Sequence, residues 1–249
     1  MGSSCARFVG ALRLALLCLL LCAAASAGVG APASPKSKGM RSVGIVSAIG
    51  DKFYVRKIGL MAFGNDTKEF PIDSWRVDDL VVSKARGLLS KSYDVRTVTY
   101  RRAAIAAAPI SRSGLGDTLR AEVSPQGLDA YLVVTKIPVQ YGGTNQSISG
   151  LGIVEGPFDH YFIYAILRVV LVDGREFSTI AQSIAALPGD KPCNSIIAKP
   201  FICGANREVD KTWWPASLNA ASNQKLKGAM VEFIDKSLPN TLRQMELTN

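Results

Sequence analysis

The sequence predicts an α/β chain: one mixed β-sheet with an antiparallel meander, and helices packed on it. Three observations carry this. Residues 161–172 are apolar on both alternating faces, with Tyr161, Ile163, Ala165, Leu167 and Val169 on one and Phe162, Tyr164, Ile166 and Val170 on the other. That is the pattern of a central strand covered on both sides. Asp173-Gly174 joins this run to a second β-rich stretch at 176–186, and the dipeptide favours a tight hairpin. Val77, Leu80, Val81, Ala85 and Leu88 recur at helical spacing, as do Leu226, Ala229, Met230 and Phe233.

The elements follow in order. Runs 43–48 and 53–60 flank Ile49-Gly50-Asp51-Lys52 and predict a hairpin. Gly64-Asn65-Asp66-Thr67 predicts a polar turn, and Phe70-Pro71-Ile72 an extended link. A helix spans 77–91, with Asp78-Asp79 placed to cap it and to suit its dipole. A strand at 93–100 leads to an Ala-rich helical turn at 101–108 and a short helix at 116–123. A strand at 129–136 stops at Pro138, and Gly and Asn residues make 140–146 a turn region. Strands at 147–155, 161–172 and 176–186 form the meander. Residues 188–217 read as a loop. The last helix is capped by Ser222 and breaks at Ser237-Leu238-Pro239.

Composition sets the class. The chain has 249 residues, Lys+Arg 29 against Asp+Glu 20, a net charge of +9, one His and 48% hydrophobic residues. Collagen-like, coiled-coil and wholly disordered chains are excluded. Residues 1–27 read as a signal peptide: Arg7 and Arg13 precede the apolar run 14–22, and Ala25-Ser26-Ala27 supplies a small-x-small cleavage site. The rival reading is an uncleaved inner-membrane anchor, since the weakly apolar tail from Ala23 to Ala31 nearly extends that run to the ~18–20 residues that spanning needs. Removing 27 of the 249 residues leaves 222, and losing two Arg leaves +7. Residues 28–41 form a linker in which Lys36, Lys38 and Arg41 could touch an anionic membrane surface. Residues 42–249 form a single α/β domain. Cys193 and Cys203 remain after cleavage, and an even pair in an exported chain predicts a disulfide; two buried free thiols are the alternative.

The segment Val43-Gly44-Ile45-Val46-Ser47-Ala48-Ile49-Gly50-Asp51 resembles the start of a group of exported, mostly uncharacterised proteobacterial proteins. A helix, then Asp129-Ala130-Tyr131-Leu132-Val133, then the long strand with Asp173-Gly174, resembles a wider α/β class. That class contains the TolB amino-terminal domain, CsgG and LpoB. The resemblance covers about residues 43–187 and is one of pattern. It implies an envelope protein that binds other envelope components and has no active site. No functional residue carries over, and the lipobox of the lipoprotein members is missing.

Candidate chemistry is sparse. The main expectation is a non-enzymatic periplasmic or extracellular binding module. Its partner would be an envelope protein or an anionic envelope polymer, met through Tyr141, Trp213 and Trp214 or the Gly-rich region 140–157. The rival is a small secreted hydrolase using His160, beside Asp159, with Ser149 or Ser113 as nucleophile. G-x-S-x-G is missing from the sequence. No C-x-x-C, H-E-x-x-H, Walker or dinucleotide motif occurs, so no metal or cofactor is expected. The cations are scattered, Arg101-Arg102 being a lone doublet, so no nucleic acid is expected.

Overall fold

The computed structural model describes residues 39–59, 65–109, 114–123, 126–142, 144–190, 193, 202–215 and 222–248. The leader 1–27, Lys36 and Lys38 lie outside them. Strand β9, Tyr161–Asp173, is the axis of the fold. It meets β5, Ala130–Lys136, in antiparallel register from Ala130↔Asp173 to Lys136↔Leu167. Strand β8, Gly150–Glu155, takes over at Gly150↔Ile166 and runs to Glu155↔Tyr161. β9 has further partners in β10, Thr179–Ile184, which covers its second half, and β11, Ala205–Val209, which covers its first. The Ala205 N–H donates to the Ala185 carbonyl, which links the ends of those two strands.

Two wings extend the sheet. Strand β1, Ser42–Ala48, lies parallel to β5 and to the short β4, Asp94–Arg96. Strand β2, Lys52–Lys57, lies parallel to β8 and antiparallel to β3, Asp66–Pro71. The sheet is therefore mixed and carries the expected meander β8–β9–β10. The hairpin expected between 43–48 and 53–60 does not form, because β1 and β2 enter different wings. Asp78 turns the chain there: its Oδ1 accepts from Ser47 Oγ at 2.6 Å and from Ile49 N at 2.8 Å, and its Oδ2 from Gly50 N at 3.4 Å. Asp66 opens β3 rather than a turn, and Pro71 ends it on the sheet edge, where a missing donor costs nothing.

Helix α1, Val77–Leu89, forms where the periodicity predicts it and buries Val77, Val81, Ala85 and Leu89. No side chain caps it; Asp78 is committed to β1 instead. Helix α2, Arg102–Ala106, and helix α3, Gly114–Val123, follow β4. The strand expected at 93–100 stops at Arg96. Beyond it, the Tyr100 hydroxyl accepts from Ser47 N at 2.8 Å and donates to Ser47 O at 2.9 Å, so a phenol serves the β1 edge in place of a backbone. Helix α4, Gln224–Gln244, is capped by Asn223, not Ser222, and continues through Pro239. Burial of Leu238, Thr241 and Leu242 beyond the proline holds the helix together across the lost donor.

The alternation of β9 decides what covers each face. Ile163, Ala165, Leu167, Val169 and Leu171 join α1 and α4 in the largest core cluster. Val170 and Val172 join Leu115, Leu119 and Val123 of α3 and Ile105 of α2 in a second. Tyr164 and Ile166 join a third, to which no helix among the described residues contributes. The hairpin of β6, Val139–Gln140, and β7, Ser147–Ile148, closes over it with Ile202. Each aliphatic side chain so buried contributes about 1.5–3 kcal/mol relative to exposure. Gly174 fits the hairpin after β9 because a Cβ there would stand 1.8 Å from the Leu128 carbonyl oxygen.

Two carboxylates anchor β1. Replacing Asp78 by Ala strands a buried hydroxyl and two amide donors, so unfolding by urea should show a loss of about 2–4 kcal/mol. At the other end of β1, Asp129 Oδ2 accepts from Arg41 N and Ser42 N, both at 2.9 Å, and from Ser42 Oγ at 3.0 Å. Those backbone donors, Ser42 first, hold its carboxyl below the ordinary range. The folded value is thus lower than the unfolded one, about 3.9. The stabilisation is full above pH ~4 and is lost as pH falls through the folded value. Asp129→Asn should be less stable at pH 7 but lose less on acidification from pH 5 to 2, read from urea midpoints across that range.

Candidate functional site

One pole of the sheet gathers the aromatic residues that the core does not absorb. It is built from the end of β8, the start of β9 and the end of β11. After β11, Asp210 caps a single 3-10 turn, Lys211–Trp213, by accepting from Thr212 N at 2.8 Å. Hydrogen bonds from the Thr212 hydroxyl and amide keep the Asp210 carboxyl below its usual range. The turn delivers Trp213 and Trp214 side by side, both partly buried against the main core. Trp214 meets Tyr161 edge-on, with ring centroids 5.7 Å apart. Trp213 lies under cations: Lys225 Nζ is 4.1 Å and Arg207 Cζ 5.7 Å from its ring centre. Each such pair is worth about 0.5–1 kcal/mol at an exposed site.

The β8–β9 connection completes the pole. Gly156 N donates to His160 O at 2.7 Å, and Phe158 and Asp159 between them both have positive φ, 64° and 58°. Two consecutive left-handed residues that are not glycine cost about 1–3 kcal/mol each. The turn holds Phe158 outward, 81% exposed, the one large hydrophobic side chain so exposed among the described residues. His160 Nδ1 lies 2.6 Å from Glu208 Oε1, with both groups more than half exposed. Among the described residues no serine hydroxyl bonds to His160, and Ser149 lines a cavity beside Arg168 instead.

Tyr141 is not part of a surface platform. It is fully buried in the third cluster, its hydroxyl stands over Gly156, where a Cβ would be 2.0 Å away, and burial pushes its phenol up to about 12. Its backbone bridges Ile202, a contact some sixty residues away in sequence that nothing local announces. The second part of region 140–157 is likewise interior, with Gly150, Leu151, Gly152, Ile153 and Val154 buried within the sheet, whereas Gln140, Asn145 and Ser147 are exposed. Sequence reasoning missed Phe158, although Gly156-Pro157 before it marks a turn whose next residue faces solvent.

Cys193 and Cys203 are free thiols, so the expected disulfide is not formed in this structure. The Cys203 thiol donates weakly to the Cys193 carbonyl, at 4.0 Å, and the two side chains satisfy each other as thiols. Burial, and then the neighbouring Cys203 thiol, pushes Cys193 up to about 12.

Away from the residues of the pole, two cavities are lined by charged side chains together with apolar ones. The larger, about 510 Å³, opens beyond the carboxyl end of β1, between α1 on one face and α2 on the other. Asp79 spans it, accepting from Arg76 Nε at 2.8 Å and from the Arg102 guanidinium at 2.5 Å, and these two cations, Arg102 first, hold its carboxyl low. The smaller, about 210 Å³, has apolar walls that include Ile105, Leu115 and Pro138, with Lys136 and Arg168 among its lining. Among the described residues no group of three or more His, Cys, Asp or Glu could hold a metal ion.

The fold and the pole define a mixed α/β domain with helices on both faces of a curled sheet. No family model and no curated protein matches the chain. Among solved structures it is similar to lipoprotein GNA1162 from Neisseria meningitidis, at 15% identity over 82% of this chain and 98% of that one, with a TM-score of 0.30. At that level the fold description rests on the strand pairing given above. No helix among the described residues is long and apolar enough to cross a membrane.

The thiol environment is directly testable. At pH 8 a thiol near 12 is about 10⁻⁴ ionised, against about a quarter for a free cysteine at 8.5. Iodoacetamide should therefore modify native Cys193 about 10³-fold more slowly than a model thiol, and both cysteines in urea without reductant, as read by peptide mass. A bridged pair would take no label under either condition.

Proposed function

We propose that this chain is a non-enzymatic envelope protein that binds another envelope component through the Trp213–Trp214 pole. The supporting observation is the composition of that surface. Trp213 presents a partly buried ring flanked by Lys225 and Arg207, on a capped turn braced by the Trp214–Tyr161 contact. A rigid aromatic on a pre-organised turn is the kind of group that dominates binding energy at interfaces. The flanking cations suit an acidic protein surface or an anionic polymer. The reading as an exported protein rests on the leader 1–27 and on the resemblance across residues 43–187. Lys36, Lys38 and Arg41 would add a peripheral membrane contact.

The hydrolase reading has less behind it. His160 has a carboxylate partner, but both lie more than half exposed, and among the described residues, which exclude Ser113, no hydroxyl nucleophile is bonded to the ring.

The test uses a photo-reactive phenylalanine at position 213 of the full chain, expressed in cells. One defined envelope species should be captured, and Trp213→Ala should weaken its binding at least tenfold while His160→Ala leaves it unchanged. Absence of any defined capture from 213, or a hydrolytic activity abolished by His160→Ala in a folded protein, would defeat the proposal.

A further inference from the structure

We infer that the chain associates with itself head to tail, with Phe158 of one copy seated in the 210 Å³ cavity of the next. This goes beyond the Trp213–Trp214 reading and does not depend on it. The knob is specific: the β8–β9 turn accepts two left-handed non-glycine residues and displays a phenylalanine that could otherwise turn inward. The hole fits it in size, since a cavity of about 150 Å³ already holds a benzene ring. The hole also fits in chemistry. Its lining is apolar at Ile105, Leu115, Ile137 and Pro138, as a ring requires.

Charge points the same way. Beside the knob, Asp159 adjoins Phe158 and Glu208 faces His160, whereas Glu155 is paired with Lys57 at 2.7 Å. The cavity is lined by two cations, Lys136 and Arg168. Lys136 directs its ammonium to the Tyr54 hydroxyl at 3.1 Å and to the Tyr54 ring, not to a bonded carboxylate. The Asp159 carboxylate beside the aromatic knob thus complements the Lys136 ammonium at the apolar hole.

The contact has to be intermolecular. β9 runs extended from Tyr161 to Arg168, about 23 Å at 3.3 Å per residue, so Phe158 cannot fold back into its own cavity. Knob and hole lie on different parts of the surface, so the interface is heterologous and propagates into a ring or a filament.

The experiment places a photo-reactive phenylalanine at 158 in the full chain, with two differently tagged copies expressed together. The expected product joins the two tags, with the crosslink mapped to residues 105–108 or 135–138. Phe158→Gly is the control variant, because glycine takes φ near +60° without steric cost. It should keep or raise the thermal midpoint while weakening self-association, measured by sedimentation, at least tenfold. Lys136→Glu should weaken association similarly, and pairing it with Asp159→Lys should restore it. A crosslink only to a different protein or to lipid would overturn self-association while leaving the envelope-binding reading in place. A crosslink to the second copy outside the cavity, or unchanged association of Phe158→Gly, would overturn it as well.

Discussion

Every layer of this structure is organised by the pairing of β9. One strand of thirteen residues carries four partners, β5 and β8 in succession and β10 and β11 in succession, with the change near Leu167. Because β9 is apolar on both faces, each face must be covered along its full length. Helices α1 and α4 cover one side. The other is divided between α2 with α3 and the β6–β7 hairpin, and that division leaves the smaller cavity at the seam. The aromatic pole and the smaller cavity are consequences of where β9 ends and where its covers fail to meet.

Much of this was legible in the residues. The double-faced apolar run, the Asp173-Gly174 turn, helix α1 and strand β5 all declare themselves through periods of two or 3.6 residues, which are local properties. What failed was decided at a distance. Gly50-Asp51 is a sound turn signal, but pairing across it depends on Asp78, almost thirty residues on, which draws the chain out of β1 toward the other wing. β11 is short and mostly polar, so nothing in Ala205–Val209 separates an edge strand from a loop. Pro239 reads as a breaker, and only the packing of the residues after it shows otherwise.

The aromatic residues in turns divide along the same line. Trp213 and Trp214 lie at a surface because Asp210 fixes a turn locally. Tyr141 looked equivalent in a Gly/Asn-rich stretch, yet a contact from Ile202 converts it to core. An aromatic in a turn is thus ambiguous until its long-range neighbour is known. Phe158 is the reverse case, an aromatic that local backbone geometry keeps out of any core.

The reach of β9's pairings also shapes how the chain can fold. β8–β9–β10 is local and can form early, whereas β1 must find β5 across nearly ninety residues and β9 must wait about forty for β11. Such long separations slow folding, because chain entropy is lost before the contacts repay it. In the interval the most apolar strand of the protein stands half covered. One of its faces is closed by α1 and α4 together, and α4 follows every strand of the sheet in chain order. A growing chain therefore carries part of that apolar face uncovered until α4 has been made, and its vulnerability to aggregation grows with the time that takes.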